Sequence, residues 1–140
     1  MPAQSSEYTL TFEERPNYLY AHIRADHISP ELVEAYVREM HDMCVKDSQT
    51  HLLVRRDIPE VFPVGSYFGV SANTVAVLHG IRTAWLTPYP QHQDRLEFAC
   101  LVANNRGAMY RVFLDLAEAE KWLGRVPRHE ILASPRLSTI

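Results

Sequence analysis

The sequence predicts a single α/β layered domain, in which helices cover a sheet and the elements follow the order β-β-α-β-α-β-α-β-α. Two alternating segments, Glu7–Glu13 and Tyr18–Arg24, are joined by the turn signal Arg15-Pro16-Asn17 and predict a β-hairpin. After the hairpin, helical periodicity alternates with short apolar runs, which is typical of strands joined by crossover helices. The chain has 140 residues, 46% of them hydrophobic, which is enough to bury one core.

The first helix is predicted to begin at Ser29-Pro30-Glu31 and to run to about Lys46. Serine is a favoured N-cap, proline suits the first helical position, and an acidic residue in the first turn is stabilised by the helix dipole. The buried stripe of this helix is predicted to contain Val33, Tyr36, Val37, Met40 and Cys44.

The third strand is predicted at His51–Arg55, because its apolar centre is short and continuous, as in a covered strand. The connection Arg55–Tyr67 leads to a second helix that ends at Gly80, and Ile81–Thr87 is the fourth strand. The predicted buried face of the second helix carries Phe68, Ala72, Val75, Ala76 and His79.

The third helix is predicted to begin near Gln91 and to stop at Asn104-Asn105-Arg106-Gly107, because Asn and Gly tolerate the left-handed conformation at a helix end. Met109–Leu114 then forms the fifth strand. Asp115 is predicted to cap a fourth helix that Gly124 ends. The buried face of the third helix contains Leu96, Ala99, Cys100 and Ala103.

Over about residues 7–124 the chain resembles the STAS/SEC14-like (SpoIIAA-type) family of small bacterial domains. The resemblance implies a mixed four- to five-stranded sheet with helices, and a ligand-binding or regulatory module rather than an established enzyme. Residues 1–6 are then a loose N-terminus and residues 125–140 a C-terminal extension. The residues that carry the resemblance are the hairpin, Leu52-Leu53-Val54, and above all Tyr110-Arg111-Val112-Phe113 followed by Ala119-Glu120-Lys121-Trp122-Leu123.

The connection after the third strand is the first candidate site, because ligands of open α/β sheets bind beyond the carboxyl ends of the strands. Gly65 or Ser66 would lie near a helix N-terminus, where free N–H groups favour an anion, and an adjacent arginine would add charge. The family's antagonists carry a phosphorylatable serine beside an aspartate at this helix, whereas here the nearest serine is Ser66, in a longer connection. The predicted ligand-binding residues are Arg55, Arg56, Asp57, Gly65, Ser66, Tyr67 and Trp85. In the alternative interpretation, Arg56 and Asp57 form a surface ion pair and the segment is only a connector.

A second candidate site is apolar and lies between a helix and the sheet. Its aromatic side chains would line a cleft for a hydrophobic or lipid-like ligand, or would equally serve as core packing or a dimer face. These side chains are Phe62, Tyr67, Phe68, Trp85 and Tyr89.

Composition and motifs narrow the function classes. The formal charge of -3, without a basic run, argues against a dedicated nucleic-acid binder. No apolar stretch approaches the roughly 20 residues that span a bilayer, and the start lacks a signal peptide, so a cytoplasmic location is expected. Cys44 and Cys100 are expected to be buried, reduced thiols, and the scattered histidines form no metal motif. No cofactor is predicted.

These features predict a non-enzymatic binding or regulatory module that recognises a small anionic or amphipathic ligand, or a partner protein, near the end of the third strand. Exposed sheet edges also favour a homodimer. Two alternatives remain open: a small hydrolase or lyase that uses Asp57 with a spatially adjacent histidine, and a structural homodimeric domain. A histidine nitrogen within hydrogen-bonding reach of Asp57 in a closed pocket would favour the enzyme. A broad apolar face without a cavity would favour the structural domain.

Overall fold

The computed structural model describes the backbone of residues 3–4 and 7–132 and the side chains of residues 7–124. Short 3₁₀ turns at Val64–Ser66 and Pro90–His92 precede the second and third helices. The strands are β1 (Ala3–Gln4), β2 (Thr9–Glu14), β3 (Leu19–Arg24), β4 (His51–Asp57), β5 (Arg82–Leu86) and β6 (Met109–Phe113). The helices are α1 (Pro30–Lys46), α2 (Tyr67–Val77), α3 (Gln93–Asn104) and α4 (Leu116–Leu132).

The strands form one mixed sheet whose spatial order is the order of the sequence, β1-β2-β3-β4-β5-β6. The pairs β1–β2 and β2–β3 are antiparallel, and the remaining pairs are parallel. Right-handed crossovers that always step in the same direction place their helices on the same face of a sheet. The helices α1, α2 and α3 therefore share one face, and α4 covers part of the other.

Each face has its own core. The larger core lies beneath α1, α2 and α3, and it includes the fully buried side chains of Leu19, Met40 and Val54. The smaller core lies beneath α4 and contains Tyr18, Leu53, Ala84, Phe113, Ala119 and Leu123. Because side chains alternate along a strand, β4 contributes Leu53 to the smaller core and its two neighbours to the larger one.

The predicted α/β fold class is confirmed, with five main strands to which the two-residue β1 adds a sixth. The Ser29 hydroxyl caps α1 by accepting from the Leu32 N–H at 3.1 Å. The predicted stripe of α1 is buried throughout. Asp115 caps α4 through a 3.1 Å bond from the Glu118 N–H. Cys44 and Cys100 are buried and free.

The predicted buried face of α2 is largely wrong. Phe68 is 52% exposed, and Ala72, Ala76 and His79 are exposed too, whereas Val75 is buried as expected. The helix is apolar nearly all round, so hydrophobic periodicity could not select a stripe. The face that is buried instead carries Tyr67, Ser71, Thr74 and Val75.

Element boundaries also differ from the sequence prediction, notably at α4, at the N-terminus and at β4. Gly124 does not end α4, whose backbone continues to Leu132. At the other terminus, Ala3–Gln4 pairs with β2 although it lies in the segment predicted to be loose. The strand β4 extends two residues beyond Arg55, to Asp57. The rest of the predicted terminal segments, residues 1–2, 5–6 and 133–140, lies outside the described residues.

Candidate functional site

The adjacent charged residues at the end of β4, Arg55, Arg56 and Asp57, point to opposite faces of the sheet. Arg56 is 4% exposed and points toward α1, α2 and α3. Its neighbours Arg55 and Asp57 point to the opposite face, where Arg55 is exposed and Asp57 is partly buried. Arg56 and Asp57 consequently form no ion pair with each other, and the surface-pair interpretation does not describe this site.

Arg56 is a buried cation that is held by backbone carbonyl groups. Its guanidinium donates to the Ile58 carbonyl at 2.9 Å and also to the Glu60 carbonyl. Among the described residues, no carboxylate pairs with it. A buried charge is costly unless it is hydrogen-bonded and neutralised, and here only the first of these conditions is met.

An apolar cavity of about 80 Å³ lies beside Arg56, between the three helices and the sheet. Trp85 and Tyr110 form part of its floor, with their rings edge to face at a centroid distance of 5.6 Å. Its helical walls include Ser71, Thr74, Ala99 and Cys100. Of the aromatic residues predicted for an apolar cleft, Phe62, Tyr67 and Trp85 line the cavity, and Phe68 and Tyr89 do not.

Tyrosine hydroxyls supply much of the remaining polarity around this cavity. The Tyr67 hydroxyl accepts from the Phe62 N–H at 3.1 Å, and the Tyr110 hydroxyl donates to the Thr74 carbonyl at 3.4 Å. Burial raises the pKa of Tyr36, and the nearby charge of Arg56 opposes that rise. Burial likewise raises the pKa of Tyr67, again against the influence of Arg56. The phenols therefore stay neutral, and Arg56 is the charged group beside the cavity.

Asp57 belongs to a different, open cleft on the outer side of the β4 end. Its Oδ1 accepts from the Tyr89 hydroxyl at 3.0 Å, and its Oδ2 lies 3.7 Å from Arg24 Nε. His22 Nε2 lies 3.6 Å from the same oxygen, which is beyond ordinary hydrogen-bonding distance. Burial, followed by the charge of Arg55, lowers the pKa of His22. The histidine of the enzyme alternative thus lies near Asp57, but it does not line the cleft of Asp57, which is open to solvent.

Gly65 and Ser66 lie in a third place, a groove between the N-terminal ends of α1 and α2. Ser66 is exposed and its side chain makes no capping hydrogen bond to α2. The same groove is lined by Val33, Glu34 and Asn73. The predicted ligand-binding set is therefore divided, and the structure brings together Arg56, Tyr67 and Trp85 at the cavity.

The sequence prediction did not include several residues that line the cavity, because these residues come from separate elements. Tyr36 is predicted only as part of the buried stripe of α1, and Ser71 and Thr74 do not belong to the predicted buried face of α2. His92, which does not line the cavity, was also missed: it is 8% exposed, no described residue bonds its Nδ1, and its ring lies against Tyr89 at a centroid distance of 4.9 Å. The hydroxyl residues Ser71 and Thr74 within a mostly apolar helix are the signal that could have identified them.

The described residues contain neither a cluster of metal-binding side chains nor a helix that could span a membrane. No group of three His, Cys, Asp or Glu side chains in residues 7–124 is arranged to hold a metal ion. Within the described helices, none is both long and apolar enough to cross a bilayer.

No model of a known protein family matches the sequence, and no curated protein matches it. Among solved structures, the chain is similar to the crystal structure of an anti-sigma factor antagonist from Mycobacterium paratuberculosis. The TM-score is 0.58, and the match covers 84% of this chain and 95% of that one at 12% sequence identity. The chain therefore has the fold of that anti-sigma factor antagonist, which is the STAS-type fold that the sequence resemblance implies.

Proposed function

We propose that this chain is a non-enzymatic binding module that holds a small amphipathic anion in the cavity beside Arg56. The observation that carries the proposal is a buried guanidinium without a carboxylate partner in residues 7–124, at the wall of an apolar cavity. A ligand carboxylate would neutralise that charge, and a short apolar tail would occupy the space between helices and sheet. Both gains favour binding of a molecule that carries both groups.

The size of the cavity limits the ligand. Pockets for drug-sized ligands measure roughly 300–1,000 Å³, and an engineered cavity of about 150 Å³ accepts benzene. A cavity of about 80 Å³ thus suits a short alkyl chain rather than a full lipid. Larger amphiphiles would require α2 to move, because this helix forms the outer wall with Ser71 and Thr74.

By likeness of fold to an anti-sigma factor antagonist, we infer that a partner protein responds to the occupied state. We further propose that this binding takes place in the cytoplasm. Ligand binding near Arg56 would fix the connection to α2, because Arg56 already binds the carbonyl groups of Ile58 and Glu60. A partner that contacts this connection or α2 would then distinguish the occupied from the empty protein.

Thermal unfolding with a series of straight-chain carboxylates, from butanoate to decanoate, tests the proposal. A ligand present at 100 times its dissociation constant stabilises by about 2.7 kcal/mol, which raises the melting temperature by several degrees. The alcohols of the same chain lengths serve as matched ligands without the charge. We expect the carboxylates to raise the melting temperature more than the alcohols, with an optimum at a short chain length.

Variants locate the site. Ser71→Leu fills the cavity and should abolish the carboxylate-induced shift, whereas Ala72→Leu, next to it on the exposed side of α2, should preserve the shift. A shift that survives in Ser71→Leu would place binding elsewhere and refute the cavity as the site. If no carboxylate of any chain length raises the melting temperature, the proposed class of ligand, a small amphipathic anion, is wrong.

A further inference from the structure

Five hydroxyl groups line the cavity between the helices and the sheet, and those of Tyr67, Thr74 and Tyr110 already have hydrogen-bond partners. The partners are backbone groups: Tyr67 accepts from an N–H, whereas Thr74 and Tyr110 donate to carbonyl oxygens. The Thr74 hydroxyl, for example, lies 3.0 Å from the Val70 carbonyl oxygen. Each of these three hydroxyls is thus bonded within the fold.

The other two hydroxyls of the cavity, on Tyr36 and Ser71, have no hydrogen-bond partner within residues 7–124. Both residues are buried, with 3% of Tyr36 and 5% of Ser71 exposed. A buried hydroxyl that makes no hydrogen bond destabilises the fold, because it has lost its contact with water and gained nothing in return. These two hydroxyls are therefore free to bond a molecule that enters the cavity.

The two free hydroxyls come from neighbouring helices, since Tyr36 belongs to α1 and Ser71 to α2, and these helices pack against each other. Burial raises the pKa of Tyr36 and the charge of Arg56 opposes that rise, so the Tyr36 hydroxyl lies near the guanidinium. Small-molecule sites typically combine apolar walls with a few polar groups that orient the ligand. We call the Tyr36 and Ser71 hydroxyls together the hydroxyl subsite.

We propose that the hydroxyl subsite binds an oxygen atom on the carbon chain of the ligand, which is then a short oxo or hydroxy carboxylate rather than a simple fatty acid. This inference rests on the proposed function, in which Arg56 holds the carboxylate of the ligand. A carbonyl oxygen accepts from both hydroxyls through its two lone pairs, and a ligand hydroxyl accepts from one and donates to the other.

The hydroxyl subsite favours such a ligand over one with an unsubstituted chain. An alkyl chain leaves both protein hydroxyls buried and unpaired, whereas an oxygenated chain pairs them. Sites that hydrogen-bond an oxygen of the ligand discriminate against the analogue that lacks this oxygen. The cavity of about 80 Å³ keeps the chain short in either case.

Isothermal titration calorimetry with acids of four carbons tests the proposal. Butanoate supplies the charge and the chain, and 2-oxobutanoate, 3-hydroxybutanoate and 4-hydroxybutanoate add one oxygen at different positions. At least one oxygenated acid should bind about tenfold more tightly than butanoate, because it forms two further hydrogen bonds in a buried site. The variants Tyr36→Phe and Ser71→Ala should each reduce this preference to about threefold or less, and butanoate itself should bind them no more weakly.

Thr74→Val is the matched control, because the Thr74 hydroxyl lines the same cavity but already bonds the Val70 carbonyl. This variant should retain the preference for the oxygenated acid. The melting temperature of the unliganded chain gives a second measurement: Tyr36→Phe and Ser71→Ala should not lower it, because neither change removes a hydrogen bond of the described fold.

The outcomes separate this proposal from the proposed function. If butanoate binds and no oxygenated acid binds more tightly, the hydroxyl subsite is wrong and the site beside Arg56 stands; a bound water that bridges the two hydroxyls gives this result. If neither butanoate nor any oxygenated acid binds, both proposals are wrong. A preference that survives in both Tyr36→Phe and Ser71→Ala places the contact with the ligand oxygen elsewhere and also overturns the proposal.

Discussion

Replacing Arg56 with alanine should destabilise the fold strongly, whereas the same change at Arg55 should have little effect. The two arginines are adjacent on β4 but face opposite sides of the sheet, with Arg56 4% exposed and Arg55 exposed. The pair therefore offers a matched comparison in which residue type, strand and substitution are identical.

The magnitude follows from the contacts of Arg56. Its guanidinium binds the carbonyl groups of Ile58 and Glu60, and a hydrogen bond to a charged group is worth about 1.5–3 kcal/mol. Relief of the buried charge offsets part of that loss. We expect Arg56→Ala to cost about 3 kcal/mol of unfolding free energy and to lower the melting temperature by about 10 °C. An exposed substitution such as Arg55→Ala costs about 0.5 kcal/mol or less.

Urea unfolding followed by circular dichroism measures both variants. The slope of the unfolding free energy against urea should match that of the unsubstituted chain, so that the midpoint alone reports the loss. Equal midpoints for Arg55→Ala and Arg56→Ala would refute the assignment of these side chains to opposite faces. A loss below about 1 kcal/mol at Arg56 would refute its role in holding the connection to α2.

Three further predictions concern other parts of the molecule. Burial raises the pKa of the thiols of Cys44 and Cys100 to about 12, so both should resist alkylation by iodoacetamide until the chain unfolds in urea. Burial lowers the pKa of His22 and His92 below the usual 6.5, so the unfolded chain binds more protons. The free energy of unfolding should therefore fall as the pH drops through about 6.5. It should fall less steeply in the double variant His22→Gln and His92→Gln. An equal dependence on pH in the variant and in the unsubstituted chain would show that these histidines do not cause it. Ser29→Ala should cost about 1 kcal/mol by removing the cap of α1, while Ser29→Asp, also a good cap, should retain stability in urea unfolding.

The layered fold was predictable because its signals are local. The Ser29 cap and the stripe of α1 follow from spacing alone, and the structure reproduces both. The predicted buried face of α2 was wrong because apolar residues occur on every side of this helix. Tertiary packing therefore decides which face is buried. The hydroxyl of Thr74 is tolerated on the buried side because it donates to the Val70 carbonyl at 3.0 Å. Periodicity does not report such a bond.

The candidate site was predictable only in its location. The position of the site at the end of a parallel strand follows from topology. The sequence prediction, however, grouped Arg55, Arg56 and Asp57 in one binding site. Strand alternation separates them, and the extension of β4 to Asp57 continues that alternation through all three residues. The contribution of Tyr36 could not be predicted, because a tyrosine in a helical stripe has the same spacing whether it fills a core or borders a cavity.

The order of the strands has a consequence for how the chain assembles. Every parallel strand from β4 onward pairs with the strand synthesised just before it, so no segment must wait for a distant one. As the nascent polypeptide leaves the ribosome, each helix–strand unit can dock on a template that is already complete. Such short-range connectivity favours rapid folding, and the last unit to arrive, β6, completes the sheet without any earlier strand having to open.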